Sequence, residues 1–421
     1  MLKKKVQHIM SEYQEWFEKE ILSKKWWNDV TKNRMGTERA FLRDLSAADR
    51  GLKDVIEIAP GTFRYSWPAP PMVIEAAKKA LDEGHTDYIP GGGFRDFREA
   101  VAEKALREDG IEADIDKEIQ PTHGVSFSFN IAGRHFLNPG DDVLLIDPDY
   151  FLGRVPNFGA NVIPVPLTEP TDPNKEWVLN IEELVDRITP NSKMLVMANG
   201  NNPTGHLYTK KELEQISEVV QDEDLLVFSD ELYSRCVFDG KKHYSIAALP
   251  GMKERTITST SFSKLEAMSG LRIGYVIANS DLIKVYRSIS SYETECINTI
   301  GQKAGIAALS QEALEWMQKN TLPEVQKRRD YSWEKLNKIE DVTCAKATGT
   351  YYLYPNISKY KLGNPRDIIE YFVKEAGVLV RANYGPINTE GHFRISCCAP
   401  WERLTNGLER IKEALEKLTR K

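Results

Sequence analysis

No stretch of this 421-residue chain stays apolar for the roughly 18 residues that a membrane helix needs. The opening MLKKKVQHIMSEYQEWFEKE breaks up its hydrophobic residues with charges, so neither a membrane span nor a signal peptide is expected. Cysteine is scarce: Cys236, Cys296, Cys344, Cys397 and Cys398 are odd in number and none has metal-ligand spacing. That excludes a disulfide framework and a cysteine metal centre, and points to reduced thiols in a cytoplasmic protein. A basic excess is also missing. Lys plus Arg total 56 against 62 Asp plus Glu, a net charge of −6, so no partner of nucleic acid or anionic membrane is expected. Low-complexity linkers and internal repeats are absent too. What remains is an ordinary globular mix, 41% hydrophobic and 28% charged, in a chain long enough for two or three domains.

The first 50 residues are helical in pattern and rich in Lys, Glu and Trp (Trp16, Trp26, Trp27). A helix lying on a domain or a second subunit has this composition. From Val55 to about Ala278 short apolar runs alternate with amphipathic stretches. KDVIEIA, DDVLLID, NVIPVPL, KMLVMAN, DLLVFSD, TITSTS and RIGYVIA are expected strands; MVIEAAKKALDEG, FRDFREAVAEKAL and KKELEQISEVVQDE are expected helices. Apolar strands separated by helices predict a mainly parallel sheet with helices on both faces. A helical region follows from about Asp281 to Lys338. The remainder is mixed α+β, with DVTCAKA, TYYLYPN, GVLVRAN and HFRISCC as strands and PRDIIEYFVKEA and ERLTNGLERIKEALEKL as helices. The expected division is a helical segment over 1–54, packing on the small domain or on a partner subunit, a large domain over 55–309 and a smaller α+β domain over 310–421.

Three segments carry chemistry. In STSFSKLEAMSGLRIGYV, Lys264 follows a hydroxyl-rich strand end, with Ser261 and Ser263 beside it and Arg272 eight positions on. Alone, Lys264 reads as a surface lysine. With those hydroxyls and the arginine it suits an amine beside a bound phosphate. ANGNNPTGHLY, residues 198–208, has the composition of an ordinary strand-to-helix turn. LLVFSDELYSR ends a hydrophobic strand on Asp230, with Tyr233 three residues later. A carboxylate at the C-terminal end of a parallel strand sits where such folds bind ligands, although a helix N-cap Asp has the same local appearance.

In this order and spacing the three segments resemble the fold-type I, pyridoxal-phosphate-dependent aminotransferases of classes I and II. The resemblance runs from about Val55 to the end. It takes in Gly61 and Pro68 of IEIAPGTFRYSWPAP, Tyr88 before GGGFRDFREA, THGVSFSFNIA, the PDY turn at 148–150 and Arg394 in GHFRIS. It implies pyridoxal 5'-phosphate as cofactor, no metal, and an α/β large domain with a sandwiched, mainly parallel sheet. Lys264 is then the lysine that condenses with the cofactor aldehyde and afterwards shuttles the α-proton. Asp230 pairs with the pyridine nitrogen and keeps it cationic. Tyr233 and Asn202 donate to the phenolic oxygen, and Tyr150 stacks on the ring. The phosphate lies against backbone N–H groups of Gly124, Val125 and Ser126 at a helix N-terminus, with Arg272, Ser261 and Ser263 completing the cradle. Tyr88 matches a tyrosine that in relatives reaches the phosphate bound by the other subunit, which implies a homodimer. Arg394 matches the guanidinium fork that clamps the substrate α-carboxylate, helped by Asn202, while the Gly61 segment closes over the substrate.

The resemblance implies transfer of an amino group between an L-α-amino acid and a 2-oxo acid by a ping-pong cycle. The alternative is a non-transaminating enzyme on the same scaffold: a lyase, cyclase or oxidase of an amino acid. Gly200 stands where relatives usually carry Pro, Glu266 where many have an aromatic, and Ala382-Asn383 where Pro-Gly is common. These reshape the pocket wall without removing a cofactor contact. Arg64, beside Tyr65 and Trp67, would favour an acidic or aromatic substrate, whereas Glu266 would attract a cationic one; the two could also face away from the pocket. His123 could line the pocket or be structural. A cofactor-binding transcription regulator would need a DNA-binding module, and the first 50 residues show no helix-turn-helix pattern.

Overall fold

The computed structural model describes residues 2–23, 55–59, 61, 66–382 and 384–419. Arg64, with its neighbours Phe63 and Tyr65, lies outside the described residues, as do Asn383 and the whole of 24–54, Trp26 and Trp27 included. In chain order the elements used below are α1 (Leu2–Trp16), β1 (Ile56–Glu57), α2 (Pro71–Asp82), α3 (Arg95–Lys104), β2 (Ile119–Thr122), α4 (Val125–Phe136), β3 (Asp142–Asp147), β4 (Asn161–Thr168), β5 (Val178–Leu179), β6 (Ser192–Ala198), α5 (Lys210–Asp222), β7 (Leu226–Asp230), β8 (Thr256–Ser261), β9 (Gly274–Ile277), α6 (Ser280–Thr294), α7 (Thr299–Leu309), α8 (Leu322–Asn337), β10 (Tyr352–Leu353), β11 (Val378–Leu379), β12 (Ile395–Ser396) and α9 (Trp401–Thr419).

The main sheet has the order β2-β9-β8-β7-β6-β3-β4-β5. The β8-β7-β6-β3-β4 neighbours are parallel, whereas β9 runs antiparallel to both β8 and β2. Continuous apolar runs in the central strands follow from burial on both faces. Leu144, Ile146, Leu195, Met197 and Val227 enter one core, while Val143, Leu145, Met194, Val196 and Phe228 enter the other. The covering helices obey local rules. Thr209 caps α5 in a reciprocal pair with Glu212, and Leu213, Ile216 and Val220 turn one stripe of that helix inward.

Two expectations are corrected. KDVIEIA does not join the large sheet: β1 pairs in parallel with β11, Ile56 opposite Val378, because Ile58 is drawn into the C-terminal core with Leu353, Phe393 and Ile411. DVTCAKA makes only a single antiparallel bridge, Thr343 with Asn356, rather than a strand. The strand IQPT over 119–122, with Pro121 inside it, was not expected; it is tolerated because β2 is an edge strand. Met10 and Tyr13 of α1 are buried in the same C-terminal core, so the N-terminal helix lies on the residues that follow α8.

Every parallel strand of the large sheet ends on the same edge, and there the loops toward α4, Tyr150, Asn202 and Lys264 emerge. That edge is held from below by an aromatic cluster. Phe129 of α4 packs 4.4 Å from Phe151 and 4.9 Å from Phe228, centroid to centroid. Phe129→Ala should therefore destabilise the fold by about 3–5 kcal/mol. Chemical denaturation followed by circular dichroism checks this; a loss below about 1 kcal/mol would contradict the packing described.

Candidate active site

A cavity of about 340 Å³ opens at this edge. It is lined by Gly61, Val125, Ser126, Tyr150, Asn202, Asp230, Tyr233, Ser261, Ser263, Lys264, Arg272 and Arg394. Residues from seven separate segments of the chain thus meet in one place.

At one end α4 presents its N-terminus. Gly124 adopts φ +84°, a left-handed conformation that glycine takes without strain, and a side chain there would also press on Arg272 Nη2 at 3.3 Å. Arg272 is anchored by donating to the carbonyls of Ser269 (2.8 Å) and His123 (3.1 Å). Ser261 Oγ accepts from the Ser263 N–H at 3.3 Å. Free helix N–H groups, two serines and a guanidinium make an anion cradle. His123 contributes its carbonyl; its ring stands edge-on to Phe127, 5.3 Å away, and burial lowers its pKa.

Asp230 closes β7 between Ala198 and Ser259 on the neighbouring strands. Its carboxylate accepts the Leu232 N–H at 3.1 Å. Burial pushes its pKa up to about 7, even though Lys264 and Arg154 pull the other way. A carboxylate this costly to ionise suits a ligand that brings its own positive charge. Tyr150 borders the cavity, braced by Arg154, which donates to the Tyr150 hydroxyl (3.1 Å) and to Ser126 Oγ (3.0 Å).

The third wall joins the two ends of the chain. Lys264 Nζ donates to the Gly61 carbonyl at 2.9 Å, and so does the Tyr351 hydroxyl at 2.8 Å. Arg394 is buried and donates to Asn202 Oδ1 (2.8 Å) and to the Ala59 carbonyl (2.9 Å). Asn202 thereby keeps its amide nitrogen as the group able to donate. The Tyr352 ring lies 3.8 Å from the Arg394 guanidinium, and the Tyr233 hydroxyl donates to the Tyr352 hydroxyl at 3.1 Å. Burial raises the Tyr233 phenol well above its ordinary pKa; the Tyr352 phenol is buried too, yet Lys264 and Arg394 bring it below. Gly61 must lack a side chain, since a Cβ would collide with the Tyr352 hydroxyl.

The donor set matches pyridoxal phosphate: an anion cradle at one end, a buried carboxylate for a cationic ring nitrogen, an aromatic wall and a primary amine. The family model for aminotransferase class I and II matches residues 53–411. The chain belongs to that family. It is 36% identical over 388 residues to an aspartate aminotransferase of Pyrococcus abyssi, spanning 90% of this chain and 96% of that one. It is 34% identical to aromatic-amino-acid aminotransferase 2 of Thermococcus litoralis, over 89% and 95% of the two chains. The crystal structure of an aromatic aminotransferase from Pyrococcus horikoshii superimposes with a TM-score of 0.81 at 34% identity, covering 89% of this chain and 99% of that one. The fold is the fold-type I architecture, the protein is an aminotransferase, and its cofactor is pyridoxal phosphate.

Two expected residues lie away from the aminotransferase cavity. Tyr88, expected at the phosphate of the other subunit, is 79% exposed and does not line this chain's own cavity. Glu266 is buried on the far side of the lysine loop, 3.5 Å from Arg235, and lines a separate 20 Å³ void with Lys104 and Tyr275. It therefore has no part in the main cavity wall. Conversely, Tyr352, Arg381, Ser269 and Leu232 line the cavity without having been expected there. Arg381 had a visible signal, since it interrupts the buried run Val378-Leu379-Val380.

The buried carboxylate has a pH signature. Asp230 in the cofactor-free protein holds its proton up to about pH 7, whereas in the unfolded chain it loses it near 4. The native state thus binds more protons than the unfolded one in that window, and stability falls as pH rises through it. Relative to Asp230→Asn, the wild-type apoprotein should lose stability between about pH 4 and 7 and change no further above. Denaturant titrations at several pH values check this; a difference that does not vary with pH would contradict it.

Proposed function

We propose that this aminotransferase moves the amino group of an L-α-amino acid onto a 2-oxo acid in two half-reactions, the first product leaving before the second substrate binds. The observation that carries this reading is the meeting, in one cavity, of the Lys264 amine, the buried Asp230 carboxylate and the buried Arg394 guanidinium. When bound, pyridoxal phosphate supplies an aldehyde to hold the amino group and a cationic ring to draw electrons from the substrate α-carbon.

The chain's own residues do the rest. Lys264 holds the cofactor, and its amine, once released by the incoming substrate, takes and returns the α-proton. Its hydrogen bond to the Gly61 carbonyl supports this role by holding Nζ at the cavity edge. Asp230 keeps the ring nitrogen positive, and a cation opposite it would recover part of the cost of burying that carboxylate. Tyr233 and Asn202 donate to the phenolic oxygen, and Tyr150 lies along the ring. Gly124, Val125, Ser126, Ser261, Ser263 and Arg272 hold the phosphate by backbone N–H groups, hydroxyls and a guanidinium. Arg394 orients the α-carboxylate so that the α-hydrogen faces Lys264, and Gly61 lets the 55–61 segment approach closely. We further infer a cytoplasmic homodimer. All five cysteines are unpaired thiols, and the exposed Tyr88 is available to a second copy. The separate core around Phe372 and Ile411 supports a distinct C-terminal domain, but Ile58 and β1 join that core, so residues 55–59 go with it and not with the large domain.

The test is a pair of half-reactions on the cofactor-loaded enzyme. An amino acid alone should bleach its visible absorbance with stoichiometric release of the 2-oxo acid, and a 2-oxo acid alone should restore it. Release of free ammonia, with or without a 2-oxo acid, or of carbon dioxide would overturn the reading in favour of a lyase or oxidase.

A further inference from the structure

Tyr352 lines the main cavity, and the proposed reaction gives it no task. On β10 its neighbour Leu353 enters the C-terminal core, and the alternation of a strand turns Tyr352 to the other side. The ring is buried and held from three directions. Tyr351 and Tyr233 stand edge-on to it at 4.8 and 5.9 Å, and the Arg394 guanidinium lies over it, 3.8 Å from the centroid. The hydroxyl is thereby fixed at the lysine end of the cavity. It accepts the Tyr233 hydroxyl at 3.1 Å. A Cβ on Gly61 would collide with it and would stand 3.4 Å from Lys264 Nζ, so hydroxyl and amine border the same small space.

The bond between the two tyrosines has a direction that matters. In the structure Tyr233 gives its phenolic proton to Tyr352. On the reading above that proton goes to the phenolic oxygen of the cofactor, and a phenol has only one to give. Tyr352 then loses the bond it accepted, while its own O–H, which donates to no described residue, can turn to the Tyr233 oxygen. The charged and titratable groups around the two hydroxyls are Lys264, Arg394, Asp230, Tyr351 and Cys398. Burial raises both phenols, but at Tyr352 the cations Lys264 and Arg394 and the bond from Tyr233 outweigh it and the Cys398 thiol, so this phenol falls below its ordinary pKa. A phenol made more acidic by two cations is the better donor of the pair.

We infer that Tyr352 is a positioning residue for Lys264: with the cofactor bound it donates to the Tyr233 oxygen and so strengthens the bond that Tyr233 makes to the phenolic oxygen. Hydrogen bonds in a chain polarise one another, so a Tyr233 that accepts is also a stronger donor. This rests on the reading of the site given above and adds a residue through which the Arg394 end of the cavity touches the lysine end. The consequence falls on the nitrogen that joins Lys264 to the cofactor. A phenolic oxygen well supplied with protein donors depends less on the proton of that nitrogen, which therefore leaves at lower pH.

The test is a spectrophotometric pH titration of the cofactor-loaded protein without substrate, reading the midpoint of its visible absorbance change. Four proteins are compared: wild type, Tyr352→Phe, Tyr233→Phe and the double variant. Tyr352→Phe keeps the ring against Arg394 and removes only the hydroxyl; its midpoint should rise by about half to one pH unit, the worth of one hydrogen bond. Tyr233→Phe should raise the midpoint at least as far, and the double variant should lie no higher than Tyr233→Phe alone, because Tyr352 acts through that hydroxyl. A Tyr352→Phe midpoint at or below that of wild type overturns the inference. So does a double variant shifted beyond Tyr233→Phe, which would have Tyr352 act on Lys264 directly, or a wild-type absorbance that does not respond to pH. A lysine-bound chromophore that titrates but ignores Tyr352 removes this inference alone; a protein that forms no such chromophore removes the reading beneath it.

Discussion

The Arg394 guanidinium is the joint on which the cavity depends. It is buried, it grips Asn202 from the loop after β6, and it grips the Ala59 carbonyl from the N-terminal segment. Three regions distant in sequence are thereby tied at one cation. A buried guanidinium is tolerable only when its donors are met, so the tie is also a constraint: these three regions must meet there for the fold to form. The Nε left without an acceptor is the part of that requirement that the protein itself does not satisfy.

The same logic governs the opposite wall. Asp230 sits at the end of a strand buried on both faces, and its burial holds the proton on up to about pH 7. Free helix N–H groups at α4, a carboxylate that resists ionisation and guanidiniums with unmet donors are each costly in isolation. Together they suit a ligand with an anionic end, a cationic ring nitrogen and a carboxylate. The site stores its specificity as unpaired polar groups, and the aromatic packing of Phe129, Phe151 and Phe228 beneath supplies the stability that this arrangement consumes.

Much of this was legible in the chain. The apolar runs DDVLLID, KMLVMAN and DLLVFSD became β3, β6 and β7, because continuous hydrophobicity over six or seven residues leaves little alternative in an α/β protein. Lys264 and Asp230 were named from their local segments and Arg394 from the family resemblance, and all three line one cavity. The misses have physical causes. β1 has the composition of a sheet strand, but pairing partners are chosen by tertiary packing, and Ile58 belongs to the C-terminal core. Tyr352 and Arg381 lie on short strands of two residues or beside them, where no periodicity marks which face is inward. Glu266 is two positions from the lysine in sequence yet faces a separate void beside Arg235, which nothing in the local sequence marks.

The central claim is that all these elements serve one amine, that of Lys264. The most direct measurement is to reduce the cofactor-loaded protein with borohydride, digest it and locate the added mass by peptide sequencing. A single modification on Lys264, within SFSKLEAMSGLR, is the result predicted. A modification on any other lysine, or none on a protein that carries the cofactor, would contradict the account.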